Sequence, residues 1–269
     1  MVAETRQQSA KRRRQRVLFD SVADLYDSTR PGYPPEVVES MLATAGVKEG
    51  DPVLEVGCGT GQLTELLARE RLTLIAIDIG PSMIDLARRR LGGSAGTLQV
   101  VAFEDFAADG RSFDLLVSAT AFHWIDPEVA WEKAARLLQP GGWLALLGTR
   151  ERYDDPFGAA LRDLWIELSD DGGAWTRKPA PTSAEAIATS GLFGTAVERS
   201  HSHRLALAGD AVVALEHTRA TALSYDDDSR RRFTDELRRL LDASGEVGAE
   251  QVTTLTMAQV RRRRPGADE

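Results

Sequence analysis

Residues 52–62, PVLEVGCGTGQ, constrain this chain more than any other stretch, because an apolar run breaks into three alternating glycines and re-enters an apolar helical pattern. Val53, Leu54 and Val56 read as a buried strand, and Gly57, Gly59 and Gly61 let the backbone turn sharply and approach a ligand without a Cβ in the way. A helix then begins at Gln62, with Leu63, Leu66 and Leu67 as its inward stripe. Its unpaired N–H groups and dipole face whatever polar or anionic group fills the turn. A glycine turn of this kind also serves as plain punctuation between a strand and a helix, so its meaning depends on the next strand.

That strand is LTLIAIDI over residues 72–79, a second apolar run that ends in an acid. Asp78 lies 17 positions after Gly61, the place of a ribose-binding carboxylate in a Rossmann-type unit. The alternative for Asp78 is a solvated acid at a strand end.

Taken in order, the remaining chain alternates. An N-terminal helix should carry Val17, Leu18, Val22, Leu25 and Tyr26 on its apolar side and stop before the proline-rich RPGYPP of residues 30–35. Pro35 opens a helix closed by Gly46, and Pro81 opens another closed by Gly92 and Gly93. Strands are predicted over 98–101, 113–118 and 143–147, with a helix capped by Asp126 and Pro127 between the last two. This alternation means βαβ units, a mostly parallel sheet and a site at the C-terminal ends of the strands. Past residue 150 it loosens into a helix over 156–168, a short helix from Ser183, a strand over 197–207, two helices and a last strand over 252–260. That region should complete the sheet edge and roof the site.

Composition removes several classes. A net charge of −8 argues against non-specific nucleic-acid binding, and the basic runs 11–16 and 261–264 read as solvated tails or helix faces. No run approaches the length of a membrane span, and the N-terminal residues carry Lys11, Arg12, Arg13, Arg14 and Arg16 rather than an apolar leader, so a cytoplasmic protein is expected. The single cysteine, Cys58, excludes an intramolecular disulfide and agrees with a reducing compartment.

The order of signals resembles the class I S-adenosylmethionine (SAM) dependent methyltransferases, closely over 17–150 and more loosely over 151–269. LEVGCGTG looks like that family's first motif, Asp78 its ribose acid, FDLLVSATAFHW its fourth-strand signature and LQPGGWLAL the turn into its fifth strand. The segment YDSTRPGYP resembles the N-terminal cap of the small-molecule branch that includes trans-aconitate-type enzymes. The resemblance implies an α/β, Rossmann-like class I methyltransferase fold: a doubly wound, mostly parallel seven-stranded sheet with an antiparallel last strand and a helical lid. It implies one domain over 1–269, with 1–14 disordered, 15–150 binding SAM, and 151–269 completing the sheet and covering a small-molecule substrate. The assembly is expected to be a monomer or homodimer without nucleic acid or membrane partners.

Residue by residue, the resemblance implies that Glu55, Gly57 and Gly59 surround the methionine half of SAM, with Cys58 and Gln62 also among the cofactor-binding residues. Asp78 would bind the ribose hydroxyls, and Ile79 and Met83 would pack on the adenine. The position whose acid contacts the adenine amine reads Ala102 here, followed by Phe103 and Glu104, which leaves Glu104 as the substitute and Phe103 among the cofactor-binding residues. Ser118 and Ala119 would border the cofactor from the fourth strand. Tyr26 and Arg30 would close over it, with Arg30 near its carboxylate. Nicotinamide binding is the rival for such a fold. It expects glycine at position 62, where this chain has Gln62.

Transfer of a methyl group from a sulfonium needs alignment and exclusion of water more than catalytic groups. His123, just past the fourth strand, is the candidate base or substrate ligand; the alternative is a histidine that fixes its loop against Trp124. His201 and His203 share one face of a predicted strand, but no cysteine or acid accompanies them at metal-ligand spacing, so no metal is expected. Trp124, Trp165 and Trp175 are candidates for a substrate pocket or for core, and Cys58 for a small filler in the turn. The same fold could also bind SAM without transferring its methyl, as a catalyst of cyclisation or rearrangement or as a cofactor-binding module.

Overall fold

The computed structural model describes residues 17–93, 96–168, 183–244 and 247–261. The glycine turn sits where the sequence places it. Strand β1 (Pro52–Val56) is buried from Val53 onward, and helix α3 (Gln62–Arg69) leaves the turn behind it. Before them come α1 (Ala23–Thr29) and α2 (Pro35–Ala45), the latter begun by its proline and ended by Gly46 in the left-handed conformation. After them the βα alternation continues through β2 (Thr73–Asp78), α4 (Pro81–Leu91), β3 (Thr97–Val100), β4 (Phe113–Ala119), a 3-10 turn (Phe122–Trp124), α5 (Pro127–Leu137) and β5 (Leu138–Tyr153). The last part comprises α6 (Phe157–Leu168), α7 (Ser183–Ser190), β6 (Val197–Leu207), α8 (Gly209–His217), α9 (Ala220–Leu223), α10 (Asp227–Ser244) and β7 (Val247–Gln259).

The strands form one seven-stranded sheet in the order β3-β2-β1-β4-β5-β7-β6. The first five run parallel, and β7 lies antiparallel between β5 and β6. The expected doubly wound, mostly parallel sheet with an antiparallel last strand is therefore present. Alternate residues of each central strand face opposite sides, which is why these strands read as continuous apolar runs. Leu54, Val56, Leu116, Leu144 and Leu146 pack beneath α5 and α7 on one side. Val53, Leu115, Val117, Ala145 and Leu147 pack beneath α2 and α3 on the other. Each fully buried leucine there contributes about 1.5–3 kcal/mol. A third core of Phe157, Trp165, Val212, Phe233 and Val247 joins α6, α8 and α10 to the sheet extension.

Two expectations change. The helix predicted from Val17 breaks at Ser21–Val22, and Val17 and Leu25 stand 61% and 37% exposed instead of facing the core. The fifth strand does not stop at Leu147 but runs on to Tyr153, because β7 begins at Val247 and pairs with β5 in register from Trp143↔Gln259 to Tyr153↔Ala249. The polar composition of 148–152 hid this extension. Trp175 and residues 1–14 lie outside the described residues.

Candidate active site

The C-terminal ends of β1, β2 and β4 border an open cleft lined by residues of the glycine turn, the end of β2 and the loop after β4. Its floor is the glycine turn. Gly57 has φ +73°, and a Cβ there would stand 2.3 Å from Cβ of Ala121, so only glycine lets the turn after β1 meet the loop after β4. Gly61 has φ +90° and admits α4 at Ala87 in the same way.

Asp78 ends β2 at the edge of this floor. Its Oδ2 accepts the Gly59 N–H at 2.9 Å and its Oδ1 the Gly80 N–H at 2.9 Å. These bonds fix the carboxylate plane while each oxygen keeps acceptor capacity toward the cleft. Burial raises the Asp78 pKa, and the two backbone N–H groups oppose that rise. Beyond Asp78 the wall turns apolar: Ile79, Met83, Val101, Ala102 and Phe103 line it. A carboxylate fixed beside an apolar slot suits a ribose joined to a purine, and the glycine floor leaves room for a polar tail on the far side of the ribose.

The sequence-derived residues divide. Tyr26, Gly57, Gly59, Asp78, Ile79, Met83, Phe103 and Ala119 line the cleft. Ser118 does not, because it is buried and its Oγ donates to the Val56 carbonyl at 2.7 Å, clamping β4 to β1. Cys58 turns away to pack with Ala76 and Ile84, and burial pushes its thiol pKa well up, which leaves an inert filler. Gln62 accepts from Thr60 Oγ1 at 2.9 Å outside the cleft lining. Glu104 is also drawn away, its Oε1 accepting the Asp126 N–H at 3.1 Å at the start of α5. Lys133 holds that loop by donating to the Glu104 and Phe106 carbonyls at 2.9 and 2.7 Å.

Glu55 sits beneath the floor with 1% exposure, and its Oε2 has no hydrogen-bond partner among the described residues. Burial, with the Asp78 charge adding, pushes its pKa up to about 8. Arg30 is half-buried and outside the cleft lining; its guanidinium donates to Thr218 Oγ1 and O at 2.8 and 3.1 Å and lies 5.2 Å from the Tyr26 ring centroid. It joins the N-terminal segment to α8 instead of reaching into the cleft.

His123 does not face the cleft. The 3-10 turn buries Phe122 in the core and points Trp124 at the cavity, which leaves His123 between them, exposed, with its ring 4.8 Å from that of Trp124. Trp165 is a core residue whose Nε1 donates to Glu216 Oε2 at 3.1 Å.

Several site residues were not legible beforehand. Phe19 lines the cleft and packs on Tyr26 and Trp124 at ring separations of 6.1 and 5.8 Å. Asp20 accepts the Met83 N–H at 3.1 Å and the Ser82 hydroxyl at 3.1 Å, so an acid from before α1 caps α4. Thr120, with φ +54°, lines the cleft and donates its N–H to the Leu147 carbonyl at 2.8 Å. Tyr33 lies beside Thr120, and its phenol pKa is raised chiefly by burial.

Fold and cleft together define a Rossmann-like domain with a candidate ligand site at the carboxyl edge of a parallel sheet. Comparisons with known proteins agree. A family model described as a methyltransferase domain matches residues 54–146. An uncharacterized methyltransferase of Mycobacterium bovis is 37% identical over 136 residues, 51% of this chain and 54% of that protein, so the chain spans about half the length of that curated relative. An uncharacterized methyltransferase of Anoxybacillus flavithermus is 31% identical over 167 residues, 57% of this chain and 78% of that protein. A solved structure from Anaeromyxobacter dehalogenans, assigned as a type II methyltransferase, superposes with a TM-score of 0.61 at 22% identity, over 86% of this chain and 97% of its own, and shows the shared fold. The chain belongs to the class I SAM-dependent methyltransferase family. No helix among the described residues is long and apolar enough to cross a membrane.

Proposed function

We propose that this protein transfers the methyl group of SAM to a small-molecule acceptor, in the branch that the YDSTRPGYP cap resembles, as a cytoplasmic enzyme. The observation that carries the reading is the pairing of Asp78, held by two glycine N–H groups, with the apolar slot from Ile79 to Phe103. Asp78 would hold the ribose, the slot the adenine, and the Gly57–Gly59 floor with Glu55 the cationic methionine end. The bound sulfonium supplies an already activated methyl donor.

The chain's own contribution is alignment and exclusion of water. Phe19, Tyr26 and Trp124 form an aromatic rim over the cleft, and Asp20, Asp27 and Arg30 tie that rim down. Asp27 meets Arg90 at 2.5 Å, and Arg90 in turn donates to the Thr60 carbonyl at 3.0 Å, so Arg90 joins the cap to the glycine turn. His123, at the outer rim, would act on an arriving substrate rather than beneath the cofactor.

Calorimetry with S-adenosylhomocysteine tests the reading. The parent protein should bind, and Asp78→Ala should weaken binding by about 1.5–3 kcal/mol, the range for charge-assisted hydrogen bonds. No binding by the parent would refute the assignment, and unchanged affinity in the variant would remove Asp78 from the ribose. Release of S-adenosylhomocysteine on turnover would separate methyl transfer from a reaction that keeps the donor intact.

A further inference from the structure

One face of the sheet extension carries a polar strip that the cofactor site does not use. In the antiparallel ladders, Thr149 pairs with Thr253 and Thr253 with His201; one rung further, Glu151 pairs with Gln251 and Gln251 with His203. Directly paired residues point to the same face, so these six side chains form two adjacent polar rows. On that same face the preceding rung is Leu147 with Leu255, part of the core beneath α2, and beyond the strip Tyr153 and Val247 join the core of α6, α8 and α10.

The middle of the strip is buried, its β5 and β6 members are partly buried, and four of its polar atoms are unpaired. Gln251 is 1% exposed and Thr253 fully buried. Gln251 Oε1, Thr253 Oγ1, His201 Nε2 and His203 Nδ1 are all shielded from solvent with no partner among the described residues. Shielded polar atoms without partners cost stability, and clustered ones point to a ligand. The charges nearby are already matched: the Glu151 side chain is 1% exposed and meets Arg219 at 2.9 Å, and Arg219 also binds Glu216 at 2.6 Å. What remains is an amide oxygen, a hydroxyl and two imidazole nitrogens, a set of donors and acceptors without a carboxylate or guanidinium of its own.

Position ties the strip to the cleft. The Thr120 N–H holds the Leu147 carbonyl where β4 ends, and Thr149 comes two residues later, about 7 Å further along β5.

We propose that the strip of Thr149, Glu151, His201, His203, Gln251 and Thr253 is the acceptor-recognition floor, and that it takes an uncharged small molecule bearing several hydroxyl groups. The assignment of an acceptor rests on the methyltransferase reading; the polyol chemistry rests on the strip alone. The test titrates myo-inositol, with succinate and ethanolamine as charged comparisons, into the full chain with and without S-adenosylhomocysteine, tracking the imidazole nitrogen resonances of His201 and His203. Myo-inositol should shift both, succinate and ethanolamine should not, and a Gln251→Leu/Thr253→Val variant should respond about tenfold more weakly or less while binding S-adenosylhomocysteine as the parent does. The same variant should melt above the parent, because the unpaired polar atoms are gone. No response to myo-inositol, a stronger response to either charged probe, or a variant that melts below the parent would overturn the proposal. Failure of S-adenosylhomocysteine to bind would refute the methyltransferase reading instead, and the titration without it still reports on the strip.

Discussion

Replacing Glu55 with glutamine keeps the shape of a fully buried side chain and removes its charge, so it isolates what that charge does beneath the glycine floor. With a pKa of about 8, the carboxyl is ionised in about one molecule in a hundred at pH 6 and in one half at pH 8. A ligand whose cationic end selects the ionised form should therefore gain about 50-fold in affinity across that interval, and its binding near pH 7 should release a proton. Calorimetry with SAM at pH 6, 7 and 8, in buffers of different ionisation enthalpy, measures both. The titrating amine of SAM is common to parent and Glu55→Gln, so the difference between their pH profiles isolates Glu55. Unfolding moves oppositely: the native state keeps a proton that the unfolded chain sheds between the ordinary value of 4.5 and 8, so the contribution of Glu55 to stability is highest below pH 4.5 and falls as pH rises through that window. At about 1.4 kcal/mol per pH unit the parent should lose several kcal/mol on this account, and Glu55→Gln should not. Identical pH profiles for the two proteins, in binding and in unfolding, would refute the reasoning.

Arg219→Met should destabilise the fold by about 3–5 kcal/mol, because it leaves Glu216 and Glu151 buried without their cation; thermal unfolding measures it. Gly57→Ala should cost about 2–4 kcal/mol, from the left-handed backbone and the clash with Ala121, and should abolish S-adenosylhomocysteine binding; an alanine variant with parental melting and affinity would show that the β1 turn and the β4 loop are not held in contact.

The sheet was readable because its signals are local. An apolar run, three glycines and an acid after the next strand need no distant partner to be recognised, and prolines and glycines punctuated α2 and α4 where the structure places them. The apolar wall of the cleft was readable for the same reason, since Ile79, Met83 and Phe103 sit at fixed offsets from strand ends. Side-chain direction was not. Ser118, Glu104 and Cys58 lie in the right segments, yet each is claimed by a neighbour that sequence order does not reveal: the Val56 carbonyl, the Asp126 N–H and the packing of Ala76 with Ile84. The 3-10 turn after β4 likewise exchanged the roles of His123 and Trp124, because burying Phe122 decides which neighbour faces the cleft.

By itself, then, the amino-acid order determined the alternation of strands and helices, the glycine floor and the place of Asp78, all consequences of backbone freedom and of apolar runs along a single segment. Only the tertiary structure decided the long β5–β7–β6 ladder, the capping of α4 by Asp20, the tie between Arg30 and Thr218 and the burial of Glu55. Each of these joins residues far apart in the chain, and their energies come from pairing and burial that exist only once the distant partner has arrived.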